Sequence, residues 1–94
     1  MLLPSRTAVL NQMYDQREFD VKKIMEELKS QYGHEKQFNV KMYTEHLMAL
    51  EANGLVEMTS YGLDDQGELA MFYKITEEGR ATVDKYIDKA YRLV

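Results

Sequence analysis

The hydrophobic period of the chain changes within the stretch Tyr43-Thr44-Glu45-His46-Leu47-Met48-Ala49-Leu50-Glu51-Ala52-Asn53-Gly54-Leu55-Val56-Glu57. Before Gly54, intervals of three and four residues predict one buried face of an α-helix, formed by Val40, Tyr43, Leu47 and Leu50. After Gly54 the period falls to about two, which predicts a β-strand. Asn39 can cap this helix, and Asn53-Gly54 can end it because glycine adopts positive φ readily.

Two further helices are predicted ahead of Asn39. Ser5 can cap the first, which runs to about Asp15 and carries an apolar patch formed by Ala8, Val9, Leu10 and Met13. Asp20 can cap the second, whose apolar face is formed by Val21, Ile24, Met25 and Leu28. We expect the second helix to stop near Gly33 through a left-handed turn. Residues 16–19 interrupt the helical pattern as a short extended segment, and residues 34–38 form a polar connector.

A hairpin and a final helix are predicted after Gly54. Residues 55–60 and 69–75 are rich in β-forming residues, and residues 62–67 between them favour a loop. The inward face of the second strand is expected to hold Met71, Tyr73 and Ile75. Thr76 can cap the last helix, in which Gly79 should weaken the first turn by about 1 kcal/mol relative to alanine. The chain is therefore predicted to be a single α+β domain spanning residues 1–94.

The last helix, predicted over residues 76–94, carries six apolar residues at helical spacing: Val83, Tyr86, Ile87, Ala90, Tyr91 and Val94. Such a stripe can fold back onto its own domain or pair with a second copy of the chain. It is wider than packing against so small a core requires. We therefore favour a homodimer that forms through this helix.

Composition narrows the classes of function. The chain has 94 residues and a mass of 11.1 kDa, which leaves room for one domain. The absence of cysteine excludes disulfides, thiolate zinc sites and cysteine nucleophiles, and it favours the reducing cytoplasm. The apolar runs are too short to span a membrane, and the first four residues lack the pattern of a signal peptide.

No motif points to catalysis, a cofactor or a metal. His34 and His46 lie on different predicted elements and lack the spacing of metal ligands, so His46 is interpreted as a packing or surface residue. Neither a glycine-rich phosphate loop nor a nucleophile elbow occurs, and neighbouring carboxylates such as Asp64 and Asp65 point in different directions. We therefore expect a protein that binds a partner and is not an enzyme.

The predicted order of elements resembles the winged helix-turn-helix family of small bacterial, archaeal and phage transcription regulators. The likeness is carried by residues 43–57, which look like the end of a recognition helix followed by the first wing strand. Phe72-Tyr73-Lys74-Ile75-Thr76-Glu77-Glu78-Gly79 looks like the returning strand and the cap of the following helix. The resemblance extends from about Thr7 to Tyr91. It implies a winged helix-turn-helix fold with a three-helix core, a two- or three-stranded β-wing and a C-terminal helix.

The resemblance also implies a function, that of a DNA-binding transcription regulator acting as a homodimer on double-stranded DNA. The helix from Asn39 to Asn53 would enter the major groove with its N-terminal half. The residues nearest the base edges would be Lys41, Met42, Thr44 and Glu45. The residues expected to touch phosphates are Lys22, Lys23 and Lys36.

Two features depart from the pattern typical of DNA-binding members, and they leave a second function open. The wing loop carries Asp64, Asp65 and Glu68 and no cation. The reading helix carries only Lys41 as a cation and has Glu45 where the family often has a basic or neutral polar residue. The net charge of residues 42–94, −5 against +1 for residues 1–41, favours the second function. The lysines can equally be a solvated surface, and the aspartates a soluble turn. The alternative is a winged-helix module that binds another protein through its acidic wing and does not bind DNA, with Met42 and Met48 as an adaptable contact surface.

Overall fold

The computed structural model describes residues 3–87, where the predicted order of elements is found. Four helices and a two-stranded antiparallel sheet follow one another in this part of the chain: α1 (Ser5–Gln12), α2 (Val21–Tyr32), α3 (Val40–Ala52), β1 (Val56–Leu63), β2 (Leu69–Ile75) and α4 (Glu77–Tyr86). None of these helices is long and apolar enough to cross a membrane. The arrangement is a small α+β fold that is compatible with a winged helix.

Three of the four predicted helix caps are present. The side-chain oxygens of Asp20, Asn39 and Thr76 accept hydrogen bonds from backbone N–H groups three residues further on, at 2.9, 2.9 and 3.0 Å. Each bond satisfies a donor that has no partner inside its own helix. The prediction for Ser5 is wrong, because Ser5 is the first residue of α1 and Pro4 occupies the cap position without a side-chain hydrogen bond. Proline fits there because the helix needs no N–H group from that residue.

The ends of α1 and α2 differ from the predictions. α1 ends at Gln12 instead of about Asp15, and residues 13–15 form a turn. α2 ends at Tyr32, close to the predicted place, but Gly33 has a right-handed φ of −61°. The N–H group of Gly33 still donates to the carbonyl of Lys29 at 2.9 Å. The backbone therefore continues the helical path at Gly33 and does not reverse through a left-handed turn.

Gly54 and Leu55 build the turn from α3 into β1, as predicted. Gly54 has a φ of +75°, and its N–H group donates to the carbonyl of Glu51 at 2.9 Å. The N–H group of Leu55 donates to the carbonyl of Leu50, also at 2.9 Å. This pair of bonds is the Schellman arrangement, which needs a left-handed residue directly after the helix. The same turn binds the start of α4, since the hydroxyl of Thr76 donates to the carbonyl of Gly54 at 2.7 Å.

β1 and β2 form a hairpin that is longer than predicted. The two strands pair to their ends, with one irregularity between Met58 and Ser60. β1 extends beyond the predicted strand of residues 55–60, so the loop shortens to residues 64–68. The Asp64 carboxylate makes this possible, because one of its oxygens accepts the N–H groups of Gln66 and Glu68, both at 2.9 Å.

The extended segment before α2 joins the sheet through one residue. Phe19 and Tyr73 exchange two backbone hydrogen bonds of 2.8 Å, so β2 lies between β1 and Phe19. The side chain of Phe19 is fully buried. This pairing gives a physical reason for the break in the helical pattern at residues 16–19, and it places the start of α2 beside β2.

A single core joins the helices to the sheet, and α3 and β2 supply five of its residues: Tyr43, Leu47, Leu50, Tyr73 and Ile75. All five agree with the predicted buried faces. Met71, which was also predicted to face inward, is only half-buried. The prediction for Val40 is wrong, because Val40 is 51% exposed and lies beside a cleft between α3 and β2.

His46 lies on the buried side of α3. Its Nδ1 atom accepts a hydrogen bond from Nε of Arg6 at 3.3 Å, and its ring meets that of Tyr43 edge-on, with 5.2 Å between the centroids. Burial, followed by the charge of Arg6, lowers the pKa of His46, so the fold holds the neutral imidazole. His46 is therefore a packing residue, one of the two interpretations that the sequence allowed.

The apolar stripe of the last helix is divided by the structure. α4 ends at Tyr86, and Ile87 has an extended backbone, so the predicted continuous helix over residues 76–94 is wrong at this point. Val83 and Ile87 are buried in the core of their own domain, whereas Tyr86 is 72% exposed. Ala90, Tyr91 and Val94 lie outside the described residues.

Gly79 is a point of close packing, which corrects its interpretation as a weak turn. A Cβ atom at this position would lie 2.1 Å from the carbonyl oxygen of Leu55 and 2.6 Å from Cγ1 of Ile75. The missing side chain therefore lets the first turn of α4 rest directly on the turn after α3 and on the end of β2. The entropic cost of a helical glycine is offset by this approach.

The substitution Gly79→Ala should lower the free energy of unfolding by at least about 2 kcal/mol, because the new methyl group meets a backbone atom that cannot move aside. Urea unfolding followed by circular dichroism measures the change. Gly62→Ala is the matched control, since a Cβ atom at Gly62 would have nothing within 4 Å. Equal stabilities of the two variants would contradict the close approach of α4 to Leu55.

Candidate nucleic-acid interface

The outer face of α3 is open to solvent. Lys41, Glu45 and Met48 are exposed and lie on one side of the helix, opposite the buried face. The N-terminal end of this face is fixed by the Asn39 cap. A helix with a rigid start and a free outer side has the shape needed to enter a groove in a ligand.

The other two residues predicted near base edges are less accessible. Met42 is half-buried and packs against the core. Thr44 is also half-buried, and it lies on the wall of the cleft between α3 and β2. Met48, which the resemblance did not place among the base-contacting residues, is 54% exposed and belongs to the outer face. The accessible part of the face is therefore shifted from the predicted set toward Met48.

Three of the four lysines predicted to contact DNA form no ion pair within residues 3–87. Lys23, Lys36 and Lys41 are exposed, and the ammonium group of Lys23 lies 5.5 Å from the centroid of the Phe19 ring. The carbonyl of Lys36 accepts a hydrogen bond from the side chain of Asn39 at 3.3 Å, which places Lys36 directly beside the start of α3. Lys36 and Lys41 thus supply positive charge near the N-terminus of the exposed face.

Lys22 is engaged by the loop of the hairpin. Its ammonium nitrogen lies 2.7 Å from the carboxylate of Asp64, 3.0 Å from Oε1 of Gln66 and 3.6 Å from the carboxylate of Glu68. The hydrogen bond to Asp64 raises the pKa of Lys22, and the same bond lowers the pKa of Asp64 to about 2. The contact ties the tip of the hairpin to the start of α2 and occupies a cation that was predicted to contact phosphate.

A small cleft lies between α3, β2 and the start of α2. Its volume is about 110 Å³, and its apolar walls include Val40 and Leu47 of α3 and Leu69 and Met71 of β2. Lys22 and Asp64 stand at the same cleft. No local pattern predicts this cleft, because its walls come from residues that are far apart along the chain.

The hairpin carries an exposed apolar surface, here called the hairpin strip, formed by Tyr61, Leu63, Leu69 and Met71. Tyr61 pairs with Met71 and Leu63 with Leu69, and directly paired residues project on the same face of a sheet. Tyr61 and Leu63 are each 75% exposed and Leu69 is 67% exposed. The strip was not predicted from the sequence, because Leu63 falls in the predicted loop of residues 62–67 and Met71 was predicted to face inward.

A second apolar surface lies at the opposite end of α3. A groove of about 450 Å³ is bounded by α1 and α4 and lined by apolar side chains that include Leu3, Leu10, Leu55 and Tyr86. Tyr86, the exposed member of the predicted dimer stripe within the described residues, stands at this groove. The groove and Tyr86 together form one continuous apolar area.

The pKa of Asp64 should be directly measurable by NMR titration of its carboxyl carbon. We expect a midpoint of about 2, and Lys22→Ala should move it toward the ordinary value of about 3.9. Because the folded state lowers this pKa, the contribution of Asp64 to stability is present above about pH 3.9 and is lost as the pH falls through about 2. Lys29→Ala, on the same helix, is the control that should leave the midpoint unchanged. A midpoint unaffected by Lys22→Ala would mean that the hairpin is not tied to α2 in solution.

The comparisons with known proteins leave the function to be inferred from this geometry. No family model matches the sequence, and no curated protein matches it.

Proposed function

We propose that the chain is a small winged-helix transcription regulator that binds double-stranded DNA as a homodimer, with α3 as its recognition helix. The observation that carries the proposal is the exposed outer face of α3, with Lys36 and Lys41 beside its capped N-terminus and in no ion pair within residues 3–87. Positive charge at the start of a groove-sized helix is the feature that a phosphate backbone requires.

In this proposal, affinity for DNA comes from three exposed lysines, and sequence selectivity comes from the outer face of α3. Lys23, Lys36 and Lys41 neutralise phosphates and release counterions. Glu45 can accept a hydrogen bond from the amino group of cytosine, and Met48 can contact a thymine methyl group. Thr44 contributes at the edge of the cleft. Lys22 adds its charge to the DNA-facing surface only when Asp64 releases it.

The homodimer in this proposal forms at the groove between α1 and α4. Tyr86 is exposed beside apolar residues of α1, and a tyrosine next to an apolar groove is a typical centre of a protein interface. A twofold axis there would double the number of phosphate contacts and present two copies of α3 to the same duplex.

Lys41→Ala should weaken binding to mixed-sequence duplex DNA and reduce the salt dependence of the binding constant by about one unit of slope per half-site, because one phosphate contact is lost. Fluorescence anisotropy at several salt concentrations measures both quantities. Lys74→Ala, at a lysine of β2 that pairs across the sheet with Glu57, is the control and should leave the slope unchanged. Identical curves for wild type and Lys41→Ala would remove α3 from the interface.

Tyr86→Ser should shift the chain from dimer to monomer, raising the dimer dissociation constant by about tenfold or more. The fold should be unaffected, since substitutions at exposed positions change stability by about 0.5 kcal/mol or less. Sedimentation velocity over a range of concentrations measures the constant. Tyr61→Ser is a matched control, because Tyr61 is an equally exposed tyrosine on the hairpin. A wild-type chain that sediments as a monomer would contradict the homodimer.

A second candidate function is a winged-helix module that binds another protein. The specific observation in its favour is the charge of the wing, where Lys22 is paired with Asp64 and the loop carries two further carboxylates, Asp65 and Glu68. A wing of this kind opposes phosphate and suits a protein surface. The anisotropy titration separates the two functions, because a chain that binds only protein shows no DNA retention at low salt.

A further inference from the structure

The hairpin carries a binding surface that is separate from the outer face of α3. We propose that the hairpin strip and the adjoining cleft bind a short segment of a partner protein in which an apolar side chain stands next to lysine or arginine. This inference rests on the protein-binding candidate function and does not require that the chain bind DNA. The two surfaces can be tested with separate variants, so that either can fail alone.

The exposed apolar area of the hairpin is contiguous with the core face of the sheet. The hairpin strip lies on the same face of the sheet as the buried side chains of Tyr73 and Ile75, nearer the tip of the hairpin. Tyr61 and Leu63 are each 75% exposed, and Leu69 is 67% exposed. Contiguous exposed apolar side chains on a small domain mark an interaction site more often than isolated ones do. A tyrosine in such a patch adds contact area at low entropic cost.

The cleft beside the hairpin strip offers a place for one side chain of the bound peptide. Leu69 and Met71 belong both to the hairpin strip and to the wall of the cleft, while Val40 and Thr44 stand on the wall formed by α3. The cleft volume of about 110 Å³ is several times the share of one water molecule in the liquid, about 30 Å³. It is too small for a cofactor, and it has room for one aliphatic side chain.

The negative charge of the hairpin favours a peptide that carries positive charge. The hairpin carries four carboxylates and one lysine between Val56 and Ile75. Lys22 neutralises Asp64, but Asp65 is exposed and Glu68 lies at the margin of the ammonium group, 3.6 Å away. The rim of the apolar area is therefore negative, which complements a cationic segment.

The negative charge of the hairpin disfavours two other ligands, a nucleic acid and a second copy of the chain. A nucleic acid would bring phosphates against Asp65 and Glu68. A second copy of the chain paired through this face would bring the same carboxylates into a surface that is already negative. A segment with lysine or arginine flanking an apolar residue gains from both the apolar contact and the charge.

The test uses a random peptide library displayed on phage, selected in parallel on the full wild-type chain and on the double variant Leu63→Ser/Leu69→Ser. Both substituted residues are at least 67% exposed, and thermal unfolding checks that the variant keeps its fold. Peptides enriched only on the wild type are synthesised and titrated by anisotropy. Ala81→Ser, at an exposed apolar residue of α4 outside all the proposed surfaces, is the control. Asp65→Asn/Glu68→Gln tests the contribution of charge.

We expect the enriched peptides to join apolar residues to lysine or arginine. Their affinity should fall about tenfold or more in Leu63→Ser/Leu69→Ser and severalfold in Asp65→Asn/Glu68→Gln, and it should be unchanged in Ala81→Ser. Enrichment that is equal on both chains, or peptides without basic residues, would overturn the proposal.

Two further measurements distinguish a peptide ligand from a second copy of the chain and from DNA. If sedimentation shows a wild-type dimer that Leu63→Ser/Leu69→Ser converts to a monomer, the occupant is a second copy and the proposal is wrong. If Leu63→Ser/Leu69→Ser loses DNA binding while Lys41→Ala keeps it, the hairpin strip contacts DNA and the proposal is also wrong. Loss of DNA binding in Lys41→Ala alone supports the recognition role of α3 and leaves the hairpin strip free for a protein partner.

Discussion

The turn at Gly54 and Leu55 joins α3, the hairpin and α4. Its left-handed glycine ends α3 and sends the chain into β1, and its two carbonyl groups accept hydrogen bonds from Thr76 at the start of α4. Gly79 then packs a bare backbone against the carbonyl of Leu55. Because one turn holds the end of α3, the base of the hairpin and the first turn of α4, the position of the hairpin beside α3 is set by backbone contacts. The side chains that face a ligand are free to vary without loss of this frame.

The far end of the hairpin is positioned in a different way. Its base is held by buried contacts, whereas its tip is held by the exposed pair of Lys22 and Asp64. Exposed ion pairs contribute little to stability and weaken with salt, so the tip is the part of the fold whose position depends most on conditions. This pair also affects the charge of the surface around the hairpin. It neutralises Lys22 at the start of α2, while the other acidic residues of the hairpin and most of the hairpin strip stay exposed. The molecule thus presents one weakly positive helix end and one negative, apolar hairpin.

Local features of the sequence were sufficient to predict most of the fold. The caps at Asp20, Asn39 and Thr76 and the turn at Gly54 depend on residues within a few positions of one another, and all four are confirmed. Contacts between distant residues were not predictable in this way. The pairing of Lys22 with Asp64, the cleft between α3 and β2 and the contact of Gly79 with Leu55 all depend on how elements meet in space. The stripe at Val83 and Ile87 shows the same limit, because helical spacing identifies an apolar face without saying whether the core or another chain covers it.

The most direct test of the account is an NMR titration of the chain, labelled with ¹⁵N, with a mixed-sequence DNA duplex at low salt. The account predicts that amide signals of Lys36, Lys41, Glu45 and Met48 shift, while those of Tyr61, Leu63 and Leu69 stay in place. Shifts confined to the hairpin, or no shifts at any duplex concentration, would contradict the assignment of α3 as the DNA-contacting helix.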